Sequence, residues 1–170
     1  MNGRPPGLLR LVREDLRAVL ERDPSRTSLV EAALHAPWHG LVLYRVAHRL
    51  YKGGHRLGPG VLTWLGRVVS GVEIHAGARL GRRVFIDHGF GVVIGQTCVI
   101  GDDVTLYHHV TLGSRGWWQD DGRRAQRHPK IGDRVTIGVG ASVLGPVTIG
   151  DDVRIRAHAL VLNDTMRSDR

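Results

Sequence analysis

From Ile74 onward an aliphatic side chain returns every six residues, at Leu80, Ile86, Ile94, Ile100, Leu106, Leu112, Ile131, Ile137, Val143, Ile149, Ile155 and Val161. Two steps break the period: eight residues from Ile86 to Ile94, and nineteen from Leu112 to Ile131. A second apolar series lies four residues after the beats, at Ala78, Val84, Phe90, Cys98, Val104, Val110, Val135, Ala141, Val147, Val153 and Ala159. Gly or Asp commonly follows the beat, as at Gly81, Asp87, Gly95, Gly101, Gly132, Gly138 and Gly150. No α-helix has that period, and plain strand alternation gives glycine no reason to keep step. A hexapeptide repeat predicts a parallel β-helix. Beat residues point into a prism, and short strands turn at the Gly/Asp corners, where glycine relieves crowding.

The first seventy residues follow a helical period instead. Leu8, Leu11, Val12, Leu16, Val19 and Leu20 share one face of a helix over about 7–22. Pro24 ends it, because its ring disfavours helical backbone at Asp23. Ser28 with Glu31 has the form of a capping box for a second, short helix that Pro37 interrupts. A third helix is expected over about 38–52, closed by Gly53 and Gly54, and a fourth over about 59–70. The fold class is therefore α+β: a helical domain over 1–70, a β-helix over 71–163 with a long loop at 113–129, and a short tail at 164–170. A helical domain of that size buries little core alone, so it is expected to dock on the β-helix or on a partner subunit.

Lys plus Arg number 24 against 16 Asp plus Glu, a net charge of +8. That excess favours phosphate-bearing or acidic partners. The basic residues are spread along the chain and aromatics are few, so nucleic acid is not indicated. Cys98 is the single cysteine, which excludes an intrachain disulfide, and its slot in the repeat reads as core packing. No apolar run is long enough to span a bilayer, and the N-terminus lacks the features of a signal peptide. A cytoplasmic protein without a membrane segment is expected.

Two clusters carry candidate chemistry. Asp87-His88 sits where the repeat gains two residues, and Arg127-His128 ends the long loop just before the next rung. Imidazole is the usual general base near neutral pH, and a nearby carboxylate can orient it. Glu73 precedes His88 by fifteen residues, close to one turn of a prism with about eighteen residues per coil. An arginine beside such a base suits a substrate carboxylate. His108-His109 is a poor metal chelate if the two lie on a strand, because adjacent strand residues face opposite ways, so no metal is expected.

Four stretches stand out together: RDP (22–24), YRVAHRLY (44–51), GVEIHAGARLGRRVFIDHGFGVVIGQTCVIGDDVTLYHHVTLG (71–113) and RHPKIGDRVTIGVGASVLGPVTIGDDV (127–153). In these the chain resembles the serine O-acetyltransferases, left-handed β-helix enzymes, particularly the short bacterial form. The resemblance implies transfer of an acetyl group from acetyl-CoA to L-serine, the first step of cysteine biosynthesis, with no bound cofactor. It makes His88 the general base and Glu73 its acidic partner, with Asp23, Asp87, Arg127 and His128 holding the amino acid. Gly113, Ser114, Val139, Arg154 and Ala157 fall where the acyl donor would bind. It also implies a homotrimer, or a dimer of trimers, with active sites between neighbouring chains.

Departures from the pattern are equally visible. His108-His109 replaces a glutamine-glycine type pair, the loop after Gly113 is longer, and Val139, Arg156 and His158 replace the Gly or Ala expected along the donor groove. They leave a second reading open: an acyltransferase of secondary metabolism that uses another acyl-CoA or an acyl carrier protein as donor. A non-catalytic β-helix scaffold is a third. The family's terminal segment, which serves cysteine inhibition and docking to the sulfhydrylase, has no match here, so no sulfhydrylase complex is expected.

Overall fold

The computed structural model describes residues 6–116 and 126–166. Four helices come first: α1 (Leu8–Arg22), α2 (Leu29–Ala33), α3 (Ala36–Lys52) and α4 (Leu57–Ser70). Thirteen short strands follow among the described residues and wind through three parallel faces. The first face holds β1 (Val72–Ile74), β4 (Val92–Ile94), β7 (Thr111–Gly113), β10 (Ser142–Leu144) and β13 (Leu160–Val161). The second holds β2 (Arg79–Leu80), β5 (Val99–Ile100), β8 (Lys130–Ile131) and β11 (Thr148–Ile149). The third holds β3 (Phe85–Ile86), β6 (Thr105–Leu106), β9 (Thr136–Ile137) and β12 (Arg154–Ile155). This is the left-handed parallel β-helix with a helical N-terminal region that the hexapeptides and their resemblance implied.

Strand register gives the coil length. Val93 pairs with Thr111 and Ser142 with Leu160, both eighteen residues apart. Val72 pairs with Val92, twenty apart, because the first coil carries the two-residue insertion. Thr111 pairs with Ser142, thirty-one apart, so the long loop adds thirteen residues without shifting the rungs on either side.

The beat residues form the core. All are buried except Leu80 and Val161, which pack partly covered at its margin. Cys98 is fully buried, and burial pushes its thiol up to about 12, far from a thiolate at neutral pH. One member of the second series is misplaced. Phe90 is 69% exposed, and Val92 fills the slot instead. Counting forward from Ile86 crosses the insertion and loses phase, whereas counting back from Ile94 keeps it.

The helices start and stop close to their expected positions. Pro37 lies in the first turn of α3 rather than interrupting α2, where its missing N–H costs nothing. α2 ends at Leu34. Half of the capping box forms: Ser28 Oγ accepts from Glu31 N at 3.3 Å, while the Glu31 carboxylate turns to Thr27 N and Oγ1. At the other end, the expected tail begins as part of the prism. Thr165 bridges Ile149, and Asp164 Oδ1 accepts from Thr148 N.

The helical region docks on the first coils through buried polar groups. Arg45 makes two bonds to Asp15, at 3.0 and 3.1 Å, and donates to the carbonyls of Leu80 and Gly81. Asp15 also accepts from Val84 N. Burial pushes the Asp15 carboxyl up, and Arg45 opposes the shift. The buried Tyr44 hydroxyl donates to Ala78 O and accepts from Leu80 N. α1, α3 and the prism are thus held as one unit, and this is what brings Asp23 to the β-helix.

Candidate active site

Two of the three corners of the prism place one left-handed residue three positions before the beat. Arg83, Asp103, Arg134 and Asp152 do so at the corner between the second and third faces. His109, Gly140 and His158 do so at the corner between the third and first faces, where Gly91 holds the place in the first coil. His88 (φ 59°) and Gly89 (φ 77°) are additional left-handed residues that belong to the insertion. They lift the turn out of the regular path and leave the His88 side chain 73% exposed. Gly89 is required there: its φ is positive, and a Cβ would sit 2.6 Å from Pro37 Cγ and 2.8 Å from Val72 Cγ2.

The raised turn faces the linker between α1 and α2 across an open cleft of about 580 Å³. Asp23, Arg26, His35, Asp87, His88 and Tyr107 are among its lining. Asp23 accepts from Ser25 N at 2.9 Å and Ser25 Oγ at 2.6 Å, and from Arg26 at 3.4 Å. Those bonds, the Ser25 hydroxyl foremost, hold its carboxyl below the ordinary range, so it is ionised at neutral pH. Asp87 Oδ1 lies 3.7 Å from His88 Nε2, too far for a hydrogen bond but close enough to attract an imidazolium. Two carboxylates and an exposed imidazole therefore share one cleft, an arrangement that can take a substrate ammonium beside a base.

Arg127 and His128 lie elsewhere in the chain. They follow the long loop at the corner between the first and second faces, across the first face from His88. Thr97 organises them. Its Oγ1 accepts from Arg127 N at 2.9 Å and His128 N at 3.0 Å, and its hydroxyl is 2.8 Å from His128 Nδ1. With two N–H groups already donating to Oγ1, the hydroxyl proton goes to Nδ1, which assigns the His128 ring proton to Nε2. The ring is buried against Gly95. Arg127 Nη2 donates to Gln96 Oε1 at 2.8 Å.

Glu73 is placed beside the raised turn but does not touch the imidazole. It follows Val72, on which Gly89 rests, yet its carboxylate binds Arg67 of α4 at 3.1 Å. Fifteen residues of spacing thus place Glu73 on β1 near the raised turn, but do not give its side-chain direction. The donor-side residues are dispersed. Val139 and Ala157 lie below His88 on its own corner, Arg154 is on β12 of the third face, and Gly113 and Ser114 lie at the far edge of the first face. The His158 ring packs on Gly140. Residues 117–125 of the long loop lie outside the described residues.

His108 and His109 sit in a turn rather than on a strand, and their rings meet at 5.4 Å. His108 also stands edge-on to His88, with ring centroids 5.6 Å apart. Among the described residues no grouping of His, Cys, Asp and Glu could hold a metal ion. Thr97, Gln96 and His108 are not singled out by the repeat, because their roles rest on pairings between coils and helices far apart in sequence.

The fold and cleft define a hexapeptide-repeat transferase of the left-handed β-helix type. The family model for bacterial transferase hexapeptides (six repeats) matches residues 128–163. A serine acetyltransferase of Helicobacter pylori is 49% identical over 150 residues, covering 88% of this chain and 85% of that protein. Serine acetyltransferase from Brucella abortus, solved in complex with coenzyme A, superposes with a TM-score of 0.85 at 35% identity, covering 92% of this chain and 61% of that one. The Neisseria gonorrhoeae enzyme, solved in complex with serine, gives a TM-score of 0.85 at 37% identity, covering 95% and 64%. The chain spans about three fifths of the length of these two solved structures. It belongs to the serine acetyltransferase family.

Proposed function

We propose that this protein transfers the acetyl group of acetyl-CoA to the hydroxyl of L-serine, giving O-acetylserine for cysteine biosynthesis. The observation that carries the reading is the convergence of Asp23, Asp87 and His88 on one cleft. The two carboxylates receive the serine ammonium, and His88 takes the proton from the serine Oγ as that oxygen attacks the thioester carbonyl. The C–O bond forms and the C–S bond then breaks. His88 returns the proton to the leaving thiolate. No covalent enzyme intermediate is required, since the thioester is already activated. Arg127 pairs with the serine carboxylate and His128 supplies an N–H beside it. Glu73 supports His88 once its carboxylate turns from Arg67.

Within one chain His88 and Arg127 are on opposite edges of the first face, so the complete site requires two chains. A homotrimer meets that need: each first-face edge then meets the other edge of a neighbour. Exposed Phe90, Val93, Leu160 and Leu162 give that face apolar surface to cover. Supply of acetyl-CoA fits a cytoplasmic setting.

The exposed Arg156 and the His158 ring on Gly140 favour one second reading, a donor other than acetyl-CoA, either a different acyl-CoA or an acyl carrier protein. A matrix of donors against serine, homoserine and related amino acids tests both. Preference for acetyl-CoA with serine supports the main reading. Turnover confined to another donor overturns it in favour of the second. For the shared site, mixing His88→Ala chains with Arg127→Ala chains, each impaired alone at low serine, should restore part of the activity under subunit exchange; no recovery in mixed trimers would contradict it.

A further inference from the structure

We propose that Tyr51 and Gln96 form a positioning relay that sets Arg127 for the acceptor carboxylate. The proposal rests on the role given to Arg127 above. Gln96 is partly buried on the turn after β4, and its two amide ends face different partners. Its Oε1 accepts from Arg127 Nη2 at 2.8 Å, and its Nε2 donates to the Tyr51 hydroxyl at 3.0 Å. These two bonds fix which end of the amide faces which way: an arginine can only donate, so the oxygen must face it. Tyr51 is itself held, with the Arg56 guanidinium over its ring at 5.1 Å and the His75 ring edge-on at 5.9 Å. α3 thereby reaches across to the turn that carries the anion-binding arginine.

The chemistry of the relay residue matters. A neutral amide can orient a guanidinium without offering it a carboxylate, so it does not compete as a charge with the carboxylate of the substrate. The neighbouring Thr97 performs the equivalent task for His128, so consecutive residues of one turn hold both members of the Arg127-His128 pair. Specificity for an amino acid, as against an alcohol lacking the carboxylate, is thus set partly from the helical region and not only within the prism.

The test is steady-state kinetics on the full chain with serine and acetyl-CoA varied separately, with Tm measured alongside. Gln96→Ala is expected to raise KM for serine about ten-fold, the weight of a hydrogen bond to a charged group, while kcat and KM for acetyl-CoA stay near wild type. Gln96→Glu keeps an acceptor toward Arg127 but puts a competing carboxylate on it, and is expected to leave the serine KM raised. Tyr51→Phe is expected to give a smaller rise, because it frees the amide without deleting it. An unchanged serine KM in Gln96→Ala, or equal losses for both substrates tracking a fall in Tm in all three variants, would overturn the relay. Arg127→Ala separates the two claims: no effect of that variant on serine KM would overturn the role of Arg127 itself.

Discussion

The imidazole of His128 lies directly on Gly95, so close that a Cβ there would sit 1.9 Å from its Cδ2. Gly95 needs no left-handed backbone; the atoms that a side chain there would meet first are those of the His128 ring. Gly95→Ala should therefore leave the coil wound but push His128 and the adjoining Arg127 off their seats. A displacement of about 1 Å at a substrate-positioning group costs on the order of 10²-fold. The expected outcome is a loss of that order in kcat/KM for serine, with circular dichroism of the β-helix unchanged. Full activity in the alanine variant would show that the His128 seat is not used.

The Arg45–Asp15 pair should dominate the stability of the docked helices. Both groups are almost fully buried. Arg45→Ala leaves a buried carboxylate with its strongest partner gone, a change worth about 3–5 kcal/mol. Replacing both with apolar residues of similar size should recover part of that loss. Urea unfolding of the single and double variants measures it. A single variant as stable as wild type would remove the pair from its structural role.

Glu14 gives a pH-dependent test of the same docking. The Arg82 guanidinium, bonded at 2.7 and 2.8 Å, is the main cause that lowers its carboxyl from 4.5 to about 2. Because the folded value is the lower one, the stabilisation is complete above about 4.5 and is lost as pH falls toward about 2. Wild type should exceed Glu14→Gln in stability by a constant amount near neutral pH, and the gap should close on acidification below 4.5. A gap that persists at the lowest pH would contradict the ion pair as its source.

The six-residue period makes the prism legible because every rung repeats one spacing and the core is a single file of aliphatic side chains. It misplaces Phe90 because an insertion moves the phase by two, and only Val92 restores it. The cluster Asp23, Asp87 and His88 is legible through motif resemblance, and the structure adds the reason: α1 ends where the raised turn begins. What one sequence does not carry is the direction of a side chain with two possible partners. Glu73 has Arg67 six residues away on α4 and His88 one coil away, and it takes the arginine. Nor does sequence separation reveal that Arg127 and His88 occupy opposite edges of one face.

The central claim is general-base catalysis by His88 on a serine hydroxyl. Release of free thiol from acetyl-CoA, followed with and without L-serine in wild type and His88→Ala, measures it directly. The account predicts serine-dependent release that falls by about 10²–10⁴-fold in the folded variant. Release that ignores serine, or that survives intact in His88→Ala, would contradict it.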